Sequence, residues 1–200
     1  MDVKHEQWLT SQRFDDPALR ATYCHYRAVL TARDAELAAA QADLACWCTQ
    51  GPFADAVVRL AAYRGVALLG ALTLAGEVGD WRRFATARTF MGFTGLVPSE
   101  YSSGERVCRG RITKAGNAHL RAQLIESASA YRHHPAVGVM LRRRQQQAGP
   151  GTVARSWAAQ QRLCGRYRRL AARKTSRNVV TVAIARELAG FLWAEMTTTD

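Results

Sequence analysis

Acidic side chains are scarce where this chain is most charged. Residues 101–200 hold 5 Asp and Glu against 18 Lys and Arg, whereas residues 1–100 hold 11 against 10. The acids beyond position 80 (Glu100, Glu105, Glu126, Glu187, Glu195 and Asp200) are strung out singly, which excludes the paired carboxylates of a two-metal or acid–base site. Metal-ligand spacing is lacking as well. Cys24, Cys46, Cys48, Cys108 and Cys164 form no CxxC pair, so neither a zinc site nor a disulfide framework is indicated, and reduced thiols are expected. The His133-His134 pair has no acid or Cys at ligand spacing and reads as a surface turn. No apolar run reaches the ~18 residues of a membrane span, and Met1-Asp2-Val3-Lys4-His5 lacks the apolar stretch of a signal peptide. A cytoplasmic chain without membrane contact is expected.

What is abundant is arginine. The net charge is +12 and the sequence pI about 10.3, with a net −1 over residues 1–100 and +13 over residues 101–200. Such a balance favours a polyanionic partner over an acidic small substrate. Arg outnumbers Lys, and the planar guanidinium suits bidentate phosphate and guanine contacts better than an ammonium. The plainer alternative is a solvated basic face.

Helical periodicity dominates, so the fold class read from sequence is mostly α: a long heptad-like helix over 17–48, then a compact helical domain, with boundaries at 1–51 and 52–200. Asp16 followed by Pro17 marks a helix start, the aspartate capping and the proline at the first helical position. Tyr23, Leu30, Leu37 and Leu44 then recur every seven residues, with Leu19, Tyr26, Ala40 and Trp47 on or near that seam. Either a self-associating coiled coil, making the chain a homo-oligomer, or an ordinary amphipathic helix fits this pattern. Gln50-Gly51-Pro52 ends it. A second helix follows over Phe53–Ala62, then a glycine turn at Tyr63–Ala67 and a helix from Leu68. The turn resembles a helix-hairpin-helix module, which binds phosphates through backbone N–H groups at a helix start, with Ala67 where the second glycine of that motif would stand.

Thr86 can cap a short helix carrying Phe90, Met91 and Phe93. Ser99–Arg111 is polar, glycine-punctuated and basic, without helical or strand period, and reads as an exposed loop. Thr113 is placed as the cap of a helix from Lys114 to about Arg132, Val137–Arg144 as a short basic helix, and Gln145–Gly151 as a flexible connector. Arg155, Arg162, Arg166, Arg168, Arg169, Arg173, Lys174 and Arg177 decorate a further helix suited to phosphates. Val179–Met196, apolar nearly all round, reads as a buried closing helix.

Taken in order, the run Gly65–Asp80, Phe84-Ala85-Thr86-Ala87-Arg88, Gly95-Leu96-Val97-Pro98-Ser99-Glu100-Tyr101-Ser102-Ser103-Gly104, Ile112–Arg121 and the Ala185–Ala194 tail resemble the carboxy-terminal half of insertion sequence 110 family (116/902 type) transposases. The resemblance covers nearly everything from about residue 53 onward. It implies a two-part enzyme: an amino-terminal RuvC-like fold with four acidic metal ligands, a helical linker able to form a coiled coil, and a carboxy-terminal domain bearing a serine. Members are guided by a structured RNA that pairs with donor and target DNA. The serine of the family's Tyr-x-Ser-Gly loop falls on Ser103, with Ser102 the runner-up, and nucleophilic attack on a DNA phosphate is the implied role.

A serine hydroxyl needs a base or a metal, and the transition-state charge needs cations; Arg106, Arg109, Arg111 and Lys114 can supply the cations. Arg64, Gly65, Asn117, Arg121, Arg166, Arg169, Arg173 and Lys174 complete the expected nucleic-acid contacts. Mg2+ is expected only with the RuvC-like domain, whose strands do not precede Trp8, so the chain reads as a truncated part that binds no cofactor itself. DNA and a structured guide RNA are the expected partners, and the nucleoid the expected location. A non-catalytic nucleic-acid-binding and oligomerisation module, and a helix-hairpin-helix protein of a repair complex, are the alternatives.

Overall fold

A computed structural model describes residues 3–100, 109–173 and 176–198. Its nine α-helices among the described residues occupy most of the chain, with one two-stranded sheet, so the mostly α expectation holds. The chain divides into two compact units, Met1–Leu44 and Ala45–Asp200.

The first unit contains α1 (Val3–Ser11), which sequence patterning did not reveal, and most of α2 (Pro17–Gln50). Asp16 caps α2 as expected, its carboxylate accepting from the Ala18 and Leu19 amides at 2.7 and 3.2 Å. α1 folds back along the start of α2 through a Glu6–Arg27 ion pair, a hydrogen bond from the Tyr23 hydroxyl to the Leu9 carbonyl, and the Phe14 and Tyr23 rings 5.1 Å apart. No described residue up to Leu44 is buried. The heptad seam is correspondingly open, with Leu30, Leu37 and Leu44 at 37%, 57% and 38% exposure.

The second unit has the core. Its elements are α3 (Ala54–Ala61), α4 (Leu68–Val78), a 3-10 turn at Trp81–Arg83, α5 (Ala87–Phe93), β1 (Pro98–Glu100), β2 (Arg109–Ile112), α6 (Ala118–Ala128), a 3-10 turn at Ser129–Arg132, α7 (Val139–Gln145), α8 (Pro150–Ala172) and α9 (Arg177–Thr197). Thr86 caps α5 as its sequence suggested, accepting from the Thr89 amide. α9 is the central element, packed against α3, α5, α6 and α8. Its Ile184, Leu188 and Leu192 are fully buried, each contributing about 1.5–3 kcal/mol of apolar burial.

Three sequence readings change. The stretch read as a loop over Ser99–Arg111 has strand roots: β1 and β2 pair antiparallel with Pro98 opposite Ile112 and Glu100 opposite Arg109, across an irregular register. Strands of three and four residues are too short to display a two-residue period. The cap of α6 is Asn117, not Thr113; its side chain accepts from the Leu120 amide at 3.0 Å, and the helix starts at Ala118 because Lys114 (φ 55°) and Gly116 (φ 98°) take left-handed conformations. The Gln145–Gly151 connector shrinks to 146–149. Gln145 ends α7 and donates to the Ala62 carbonyl and the Ser156 hydroxyl, and Pro150 opens α8 at a position where its missing N–H costs nothing.

Candidate nucleic-acid interface

Two tight turns interlock at the root of the β1–β2 pair. The Thr113 amide donates to the Val97 carbonyl at 2.9 Å, that of Lys114 to Gly95 at 3.2 Å and that of Asn117 to Phe93 at 3.0 Å. The backbones approach so closely that a Cβ on Gly95 (φ 68°) would lie 2.2 Å from the Ala115 carbonyl oxygen, and one on Gly116 2.1 Å from that of Phe93. Only glycine combines this φ with this approach. Above the clasp, the Ser99 hydroxyl donates to the Arg111 carbonyl at 3.0 Å. The segment carrying Ser102, Ser103 and Arg106 springs from these strands and lies outside the described residues, and of Arg109 only the backbone is described.

The cations and amides assigned to this region sort by how much of their hydrogen bonding is already used. Arg111 and Lys114 are exposed. Asn117 is committed inward, capping α6 while donating to the Glu77 carboxylate at 2.7 Å. Arg121 is half-buried and donates to the Thr94 carbonyl at 3.2 Å, bracing the clasp from α6. Arg83, which sequence reasoning passed over, lies 4.7 Å from the centroids of both Phe84 and Phe93; its second ring is ten residues away in sequence and comes beside it only when α5 folds back.

Arg64 is half-buried and Gly65 exposed, and both are engaged with neighbouring segments of the chain. The Arg64 guanidinium donates to the His134 carbonyl at 2.6 Å and to Gln160 at 3.1 Å. A Cβ on Gly65 (φ 83°) would sit 2.1 Å from the Ser127 carbonyl oxygen. A glycine turn joins α3 to α4, with the glycine pressed toward α6. On α8, Arg166 pairs with Glu187 of α9 at 2.8 Å, while Arg169 and Arg173 are exposed with no carboxylate partner among the described residues; Lys174 lies outside them. Among the described site residues, Arg109, Arg111, Lys114, Asn117 and Arg121 lie at the clasp, Arg166, Arg169 and Arg173 along α8 and at its end, and Arg64 and Gly65 at the turn between α3 and α4.

One acid does form a constellation, an electrostatic one. Glu195 is fully buried. Its carboxylate accepts from Arg155 at 2.7 and 3.0 Å, Thr152 at 2.7 Å, Arg59 at 3.0 Å and Tyr63 at 3.0 Å. Burial alone would raise its pKa, but the hydrogen bonds from Arg155, Thr152, Arg59 and Tyr63 outweigh burial and pull it down to about 2. Burial first, and the facing carboxylate second, push the Tyr63 hydroxyl well above the usual phenol range. No three of His, Cys, Asp and Glu come together as metal ligands among the described residues. No described helix is long and apolar enough to cross a membrane.

Residues 58–139 match the sequence model of the Transposase IS116/IS110/IS902 family. Over 192 residues the chain is 40% identical to a Sinorhizobium fredii (strain NBRC 101917 / NGR234) protein named as transposase y4qE, covering 96% of this chain and 46% of that protein. A Pseudomonas aeruginosa protein named as a family 20 transposase is 31% identical over 138 residues, 69% of this chain and 34% of its own length. The transposase for insertion sequence element IS1111A of Coxiella burnetii is 40% identical over 76 residues, 38% of this chain and 21% of its own. The chain thus spans less than half the length of these relatives. With the matched segment running from α3 through the clasp to the start of α7, the chain belongs to the IS116/IS110/IS902 transposase family.

Proposed function

We propose that this chain is the DNA-handling part of an insertion-sequence transposase. In this reading its basic second half binds DNA and a structured guide RNA, the segment rooted in the clasp presents Ser103 to a phosphate, and α2 joins copies of the chain at the nucleoid. The observation that carries the proposal is the coincidence of family membership with charge. Residues 101–200 carry a net +13, and among their cations Arg111 and Lys114 at the clasp and Arg169 and Arg173 at the end of α8 stay exposed. A backbone clasp at the two chain ends that flank the serine also suits a nucleophile that must meet one phosphate in one geometry. In this reading strand cleavage draws its metal and general base from a RuvC-like domain.

Fluorescence anisotropy with a labelled DNA duplex tests the binding. The expected result is an affinity that falls by about 10³-fold or more between 50 and 200 mM salt, as counterion release from six or more phosphate contacts requires; no salt-dependent affinity for DNA or RNA sinks the reading. Ser103→Ala tests the chemistry in a reaction complemented with the RuvC-like part of a related enzyme. Strand exchange should vanish while DNA affinity stays unchanged, and retained exchange moves the weight to a non-catalytic binding and assembly module, a reading the open seam of α2 favours.

A further inference from the structure

The outer face of α8 is built unlike an ordinary solvated helix surface. No acid occurs between Pro150 and Ala172. At 3.6 residues per turn, Ala154, Ala158, Gln161, Gly165 and Ala172 fall in one strip about 60° wide, and all except the partly shielded Gly165 are exposed. Arg168 borders that strip on one side, Arg162 and Arg169 on the other, and together with Gln161, Gly165 and Ala172 they line an open depression. Arg168 and Arg169 have no carboxylate partner among the described residues. Arg162 is tethered through Nε to Glu187, which leaves its terminal nitrogens for another acceptor.

Gly165 is the informative residue. A Cβ there would meet nothing within 4 Å, and its φ is not positive. Neither packing nor backbone geometry requires glycine, although glycine inside a helix is less stable than alanine. A low crest between two cationic banks is what lets a helix body approach another surface closely while guanidiniums reach past it on both sides.

We propose that this face of α8 is a reading surface for the major groove of B-form duplex DNA, with Arg168 on the phosphates of one strand and Arg162 and Arg169 on those of the other. A groove about 12 Å wide and about 8.5 Å deep admits a helix about 10–12 Å across. Gln161, exposed at the edge of the strip beside Arg168, is the side chain type that pairs bidentately with adenine N6 and N7. The deep, narrow major groove of A-form RNA does not admit a helix, so the surface selects duplex DNA over duplex RNA. The inference rests on the nucleic-acid reading above and deepens it by assigning the DNA duplex to α8.

The test compares a DNA duplex with an RNA duplex of the same sequence, binding the 200-residue chain, a Gly165→Phe variant and an Arg168→Ala/Arg169→Ala variant, with circular dichroism and thermal unfolding of each. Gly165→Phe raises the crest at a position where a Cβ meets nothing within 4 Å and should weaken DNA-duplex binding at least about tenfold while changing RNA-duplex binding less than about twofold. The double variant adds no bulk and should weaken DNA binding similarly, so the inference stays testable if the phenylalanine chain fails to fold. Unchanged DNA affinity in both variants overturns the assignment to α8 while leaving the nucleic-acid reading standing, and so does an equal loss for DNA and RNA. A parent chain that binds neither duplex overturns both.

Discussion

Glu195 keeps its charge inside the core because four side chains converge on two oxygens. Arg59 comes from α3, Tyr63 from the turn after it, and Thr152 and Arg155 from the first turns of α8. Because the folded carboxyl titrates near 2 and its ordinary value is 4.5, the stability it contributes is fully present above about pH 4.5. That contribution is lost as pH falls from there toward 2, a change of about 3 kcal/mol in all. Thermal unfolding followed from pH 7 to pH 2 should show this acid limb. Glu195→Gln should remove the limb and destabilise the neutral protein by about 3–5 kcal/mol, since it leaves Arg59 and Arg155 facing each other without a counter-charge. A glutamine variant as stable at pH 7 as the parent would mean that the amide satisfies both guanidiniums and that the network is one of hydrogen bonds alone. None of this was legible in sequence, because Glu195 lies 136 residues from Arg59 and 40 from Arg155, and only the packing of α3 and α8 on α9 brings them together.

At the scale of elements, legibility followed the local signals. Asp16-Pro17 and Thr86 marked helix starts correctly because a cap and its amide partners lie within three residues of one another. The closing helix was readable because an all-round apolar stretch has nowhere to go but the core. Thr113 misled for a physical reason. It is a good capping residue type, but the left-handed turn through Lys114 and Gly116 intervenes, and that turn is dictated by contact with the Phe93 carbonyl, which no local pattern encodes. The correction is itself testable. Asn117→Ala should cost about 1 kcal/mol or more, because it removes both the cap of α6 and the hydrogen bond to Glu77. Thr113→Ala, whose hydroxyl makes only a 3.5 Å contact with the Gly95 carbonyl, should cost less than half as much in urea unfolding. The reverse order would place the helix start four residues earlier, as sequence alone suggests.

Across the whole molecule, stability and assembly fall on different stretches of chain. Every buried described residue lies at or after Cys48, whereas the first unit is held by a Glu6–Arg27 ion pair, the Tyr23 hydroxyl and one aromatic contact. Contacts of that kind in solvent contribute little to a folding free energy. The same unit leaves Leu30, Leu37 and Leu44 open at seven-residue spacing, a seam another helix would cover. Removing residues 1–44 should therefore leave the cooperative unfolding of the remainder in place, with a midpoint within about 3 °C of the parent at equal protomer concentration. Sedimentation should change where melting does not: the full chain is expected to sediment as a dimer or larger and the shortened one as a monomer. Joint loss of the assembly and of the melting transition would show that the second unit depends on a partner's helix to fold. A shortened chain that still self-associates would place the contact in the arginine-rich unit, where no apolar seam of comparable length is exposed among the described residues.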